Sequence, residues 1–204
     1  MKIIVGTPRS GTTFTTNWYA NEYPDHEYLI PEKLGEYFHP DHFETKNVDQ
    51  ETLDRIQSLP EKCVFKVHTG LEMSDHIWSF LQDKPIVLVK RRDLVGQFVS
   101  YGIGYATNKW VTYSHIGNNG LSPNQKLTYE RWWFDELKQR LEELDSRTFN
   151  VERVIWYEDI PNMPINGKLP LKQNSLESLN TFVNKDELIE WINDFTGQSS
   201  LVYR

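Results

Sequence analysis

The sequence predicts an α/β fold: a single domain over residues 1–204, with a parallel sheet of about five strands flanked by helices. Five short apolar runs read as strands, namely Lys2–Val5, Glu27–Ile30, Cys63–Val67, Pro85–Val89 and Arg153–Trp156. The segments between them are helical in pattern or long enough to cross over, as parallel strands require. A chain of 204 residues with 38% apolar content supports one sizeable core and would cramp two.

The elements follow in order. The first strand ends in a turn of small residues that leads into a segment able to be helical. Ser74–Leu81 is a short helix with Ser74 at its N-cap. Residues 101–123 hold four glycines, three asparagines and several aromatics, which reads as a loop rather than a periodic element. Asn124–Leu144 is the clearest helix, with Trp133, Leu137, Leu141 and Leu144 on one face. Residues 161–173 contain Pro161, Pro164, Gly167 and Pro170 and read as an irregular loop. Asn184 is placed to cap Lys185–Phe195, whose stripe is Leu188, Ile189, Ile192 and Phe195, with Gly197 as the stop.

Composition narrows the function classes. Twenty-nine acidic against 22 basic residues give a net charge of −7, which argues against duplex nucleic acid as a partner. Cys63 is the only cysteine, so no intrachain disulfide can form. No basic-then-apolar leader and no apolar run of 18 residues is present, so a soluble, cytoplasmic chain without a membrane partner is expected. Oligomeric state is not legible.

The motif with most chemistry is Val5-Gly6-Thr7-Pro8-Arg9-Ser10-Gly11-Thr12-Thr13-Phe14. A strand, a small-residue turn and a helix start aim several backbone N–H groups at one point, and the helix dipole adds positive potential there. Gly6 and Gly11 have the Walker spacing of a P-loop, but Thr12 stands where the lysine would be. The fold expected is therefore P-loop-like, without the residue that handles a transferring γ-phosphate. Polar residues also follow the other strands: Glu36, Lys66 with His68, Arg92 and Glu158. In an open parallel sheet, ligands bind beyond the carboxyl ends of the strands. Lys66 and His68, two apart on a strand, share a face.

Pro8–Thr13 resembles the 5′-phosphosulfate loop of the sulfotransferases that use 3′-phosphoadenosine 5′-phosphosulfate (PAPS). The resemblance implies that Pro8, Arg9, Ser10, Gly11, Thr12 and Thr13 hold the 5′-phosphosulfate. Phe14 would stack on adenine where many members have tryptophan. A second match is Arg92 with Ser100, which keep the family's spacing for the 3′-phosphate; a guanidinium at a strand end and a hydroxyl two turns on can grip one phosphate. Arg91 is the alternative, with the serine nine residues away. Arg-Arg-Asp-x-x-x-Gln-x-Val-Ser is most similar to the bacterial Stf-zero-type branch, which includes a trehalose sulfotransferase, and Tyr157-Glu158-Asp159 is similar to a triplet of many members. These motifs span residues 5 to 159.

Two bases compete for the acceptor proton. Glu36, before paired aromatics, matches the Stf-zero-type base. His68, in Lys66-Val67-His68, matches the base of the cytosolic animal-type enzymes, and imidazole titrates in a suitable range. Lys66 and Arg9 would neutralise charge on the transferring group, and Lys168 and Lys172 would close over the 3′-phosphate. No metal is expected: in His39-Pro40-Asp41-His42 the proline interrupts a helix and no further ligands stand at the usual spacings. The implied activity is sulfuryl transfer from PAPS, leaving 3′,5′-ADP, to a hydroxyl of a carbohydrate or small glycoconjugate, with residues 101–123, Trp110 among them, as the acceptor-binding loop. An ATP-dependent phosphotransferase and a non-catalytic nucleotide-binding module are the alternatives.

Overall fold

Strands β1 (Lys2–Gly6), β2 (Glu27–Tyr28), β3 (Cys63–His68), β4 (Pro85–Lys90) and β5 (Asn150–Trp156) form a parallel sheet in the order β2-β3-β1-β4-β5. The computed structural model describes residues 1–22, 27–28, 54, 58, 61–69, 75–108, 125–160 and 175–197. These fall into two compact units, one from Met1–Lys90 with Arg140–Pro161, the other from Arg91–Gln139 with Asn162–Arg204.

The first unit carries the sheet. Side chains alternate across each strand. Ile3 and Val5 therefore lie with Cys63, Val67, Ile86 and Leu88 on one face, covered by Trp78 and Leu81 of α2 (Asp75–Gln82). Ile4 lies with Val64, Val87 and Val89 on the other, against Tyr19, Trp18 and Phe14 of α1 (Thr12–Glu22). Burial on both faces explains why the inner strands read as unbroken apolar runs. The same alternation puts Lys66 and His68 on Val64's side of β3, the side that α1 covers. Strand β5 starts three residues before the expected Arg153, because an edge strand keeps a solvent side and tolerates polar residues there. Its Glu152 pairs with Lys2, and the Arg153 guanidinium lies 5.0 Å from the Trp18 ring centre.

The second unit corrects three expectations. Tyr101–Thr107, expected to open a loop, complete helix α3 (Leu94–Thr107). Gly102 and Gly104 disguised this helix, and Gly102 is there for packing: a Cβ on it would lie 2.5 Å from Tyr129 Cε2. Helix α4 (Arg131–Ser146), whose second half belongs to the first unit, starts well after the expected Asn124. Residues 125–130 are not helical because their backbone groups are committed elsewhere. Leu127 pairs with Thr181 and Val183, and the Asn184 amide accepts from Tyr129 N at 2.8 Å and donates to Tyr129 O at 3.1 Å. Asn184 thus precedes α6 (Lys185–Thr196) without making the side-chain cap bond expected of it. Gly197 does end α6, at φ 62. Phe98 of α3 stacks on Phe134 at 4.8 Å between ring centres, and Leu179 of α5 (Ser175–Leu179) is buried. No helix among the described residues is long and apolar enough to cross a membrane.

Candidate functional site

The turn between β1 and α1 is built by exclusion of side chains. A Cβ on Gly6 would meet Ser10 Oγ at 2.6 Å, Thr12 Cγ2 at 2.9 Å and the Val89 carbonyl at 2.9 Å. Gly11 has φ 99, and a Cβ there would lie 2.3 Å from Tyr157 Cδ2. Arg9 adopts φ 62, a left-handed conformation uncommon for a residue with a side chain. Left-handed residues within a turn aim successive N–H groups at one concavity. Ser10 closes the turn on itself, its N–H donating to Thr7 O at 3.2 Å and its hydroxyl to the same oxygen at 2.8 Å. Pro8, Ser10 and Thr12 are buried, while Arg9, Gly11, Thr13 and Phe14 are half-buried.

The first α-helical bond of α1 runs from Thr15 N to Gly11 O at 3.0 Å, so the amides before it point out of the helix end. No acidic residue lies in that first turn to offset the positive end of the dipole.

Strand β3 reaches this helix end with two side chains. Lys66 Nζ donates to Thr13 Oγ1 at 2.8 Å, and His68 Nε2 lies 2.6 Å from Thr12 Oγ1. Burial, and then the charge of Arg9, lower the Lys66 pKa from 10.5 to about 8. Two cations thus repel one another beside a helix N-terminus, an arrangement that a bound anion relieves. The arrangement suits a compact, multiply charged anion.

Two further contacts brace it. Thr69 N donates to Gly6 O at 3.0 Å, and the buried Arg140 donates from Nη1 to Thr69 O at 3.2 Å. Sequence reasoning missed Arg140, although it stands three residues after Leu137 and four before Leu144, on the apolar face of α4. Tyr157 packs against Gly11 and meets the Phe14 ring edge-on at 5.7 Å.

Arg92 and Ser100 belong to the second unit. Arg91 is buried and pairs with Asp93 at 3.5 Å, while Asp93 caps α3 by accepting from Gly96 N at 2.7 Å. Arg92 is exposed and Ser100 is buried in α3. Of the two arginines, Arg92 is the one turned to solvent. Glu36, Lys168, Lys172, His39, Asp41, His42 and Trp110 lie outside the described residues. Among the described residues, no group of three His, Cys, Asp or Glu side chains is placed to hold a metal.

No protein-family profile matches the chain. No curated protein matches it either. Among solved structures it is similar to mouse sulfotransferase SULT7A1 complexed with PAP, at 18% identity and a TM-score of 0.41 over 97% of this chain. The chain spans 58% of the length of that chain.

Gly11→Ala adds a methyl against Tyr157 at a left-handed position. It is expected to destabilise the fold by about 1–3 kcal/mol, read as a lowered urea midpoint. An unchanged midpoint would contradict the turn geometry.

Proposed function

We propose that the chain transfers a sulfuryl group from PAPS to a hydroxyl of a carbohydrate or small glycoconjugate. The observation that carries this reading is the β1–α1 turn with Arg9 and Lys66 beside an acid-free helix end, in a chain whose Pro8–Thr13 has the phosphosulfate-loop sequence. The turn amides and the hydroxyls of Thr12 and Thr13 hold the 5′-phosphosulfate, Ser10 braces the turn through Thr7 O, and Arg9 and Lys66 offset the charge that grows on the leaving phosphate. By the sequence resemblance, Arg92 and Ser100 take the 3′-phosphate, Phe14 takes the adenine, and Lys168 and Lys172 cover the nucleotide. The acceptor oxygen bonds to sulfur as the sulfur–oxygen bond to the phosphate breaks. The acceptor proton passes to Glu36 or His68, and 3′,5′-ADP leaves.

One observation favours a second reading. Thr12 occupies the Walker lysine position, yet Lys66 reaches the same helix end from β3. A neighbouring strand thereby provides a cation that the loop sequence lacks, which also suits an ATP-dependent phosphotransferase.

Incubation with radiolabelled PAPS and a panel of sugars separates the two. Label transfer that survives a chelator is expected; binding of ATP with Mg²⁺ but not of 3′,5′-ADP would overturn the proposal. Lys66 gives a second check. Its pKa of about 8 means that the free lysine loses its proton above that pH, so binding an anion there requires proton uptake. Affinity for 3′,5′-ADP should therefore fall as pH rises through about 8, by up to roughly tenfold per unit. Lys66→Met should bind more weakly and lose most of that dependence. A wild-type affinity that stays flat across this range contradicts the role given to Lys66.

A further inference from the structure

We propose that His68 positions the anion cradle through Thr12. This rests on the sulfuryl-transfer reading and refines it.

The alternation of β3 sends Lys66 and His68 to the same side, where each engages one of the first two residues of α1: Lys66 bonds Thr13 and His68 bonds Thr12. The His68–Thr12 contact is short, at 2.6 Å, and Thr12 is only 2% exposed. Thr12 has little freedom to turn away. Its Cγ2 sits so close to Gly6 that a methyl there would be 2.9 Å away, and its carbonyl accepts from Thr16 Oγ1 at 2.6 Å. The His68 main chain is held equally firmly. It stands in register with Gly6, and the next residue is tied to Gly6 O on one side and to Arg140 on the other. The imidazole tip is therefore committed to a buried loop hydroxyl by two fixed elements.

Reaction geometry gives this contact its meaning. In an in-line displacement, the entering and leaving oxygens lie on opposite sides of the transferred atom. The leaving phosphate rests on the first turn of α1, and Thr12 is part of that turn. The His68 nitrogen, 2.6 Å from Thr12 Oγ1, therefore acts on a hydroxyl of the turn that receives the leaving phosphate. His68 orients Thr12 towards the anion.

The test uses the full chain with Thr12→Val, His68→Ala, His68→Gln and the Thr12→Val/His68→Ala pair. Calorimetry gives the 3′,5′-ADP affinity, and initial rates with PAPS give kcat and KM separately. A positioning role predicts that Thr12→Val and His68→Ala each weaken 3′,5′-ADP binding by up to about tenfold, the scale of one hydrogen bond. The pair should be no worse than the poorer single variant. His68→Gln, which keeps a hydrogen-bonding nitrogen at similar reach, should recover most of the loss in both affinity and rate. The assignment is overturned if the single effects multiply. It is also overturned if His68→Ala leaves affinity intact while kcat falls 100-fold and His68→Gln does not recover it. Imidazole ¹⁵N NMR reads the pair without any ligand: Thr12→Val should shift the Nε2 resonance of His68, and no shift contradicts the contact. A wild-type chain that binds neither 3′,5′-ADP nor PAPS overturns the sulfuryl-transfer reading, and this role with it.

Discussion

There is no room for a side chain at Gly6, and the rest of the site depends on that. Ser10 Oγ, Thr12 Cγ2 and the Val89 carbonyl already occupy the space a Cβ would need. The chain can therefore double back from the end of β1 into α1 within a few residues, with Arg9 and Gly11 in left-handed conformations. The turn brings the helix end against the carboxyl ends of β3 and β4 rather than out into solvent. A larger residue at position 6 would push the helix start away from Lys66 and His68 and open the space between them.

The second organising element is positive charge gathered at a helix end whose first turn carries no acidic residue. Arg9 and Lys66 both favour an anion, and their mutual repulsion, added to burial, lowers the Lys66 pKa towards neutrality. Such an arrangement costs stability when empty and returns it when an anion binds. Hydrogen bonds from Lys66 to Thr13 and between His68 and Thr12 hold the two β3 side chains ready, so little reorganisation is needed on binding. The sheet makes this possible: its inner strands are buried on both faces, and Lys66 and His68 follow the buried Val64 on one face of β3.

Legibility in the sequence followed how local each signal was. The parallel sheet was readable because both faces of the inner strands are buried, which leaves apolar runs such as Ile3-Ile4-Val5 and Ile86-Val87-Leu88-Val89. The shared face of Lys66 and His68 followed from strand periodicity alone. What was not readable depended on partners distant in sequence. The second half of helix α3 is hidden because Gly102 looks like a loop residue until Tyr129 is seen against it. The start of α4 was placed too early because nothing near residues 125–130 announces their pairing with Thr181, Val183 and Asn184. Arg140 stands on the apolar stripe of α4, a signal in the sequence that this charge turns inward. The Thr12–His68 contact joins residues 56 apart in the chain, and only the register of β1 with β3 reveals it.

The central claim is that the β1–α1 turn is a cradle for a phosphosulfate rather than for ATP. Backbone amide NMR of the wild-type chain tests this most directly. Addition of 3′,5′-ADP without metal should shift the amides of Gly11, Thr12 and Thr13 saturably, and ATP with Mg²⁺ should move them far less. Saturable shifts with ATP and Mg²⁺, and none with 3′,5′-ADP, would contradict the account.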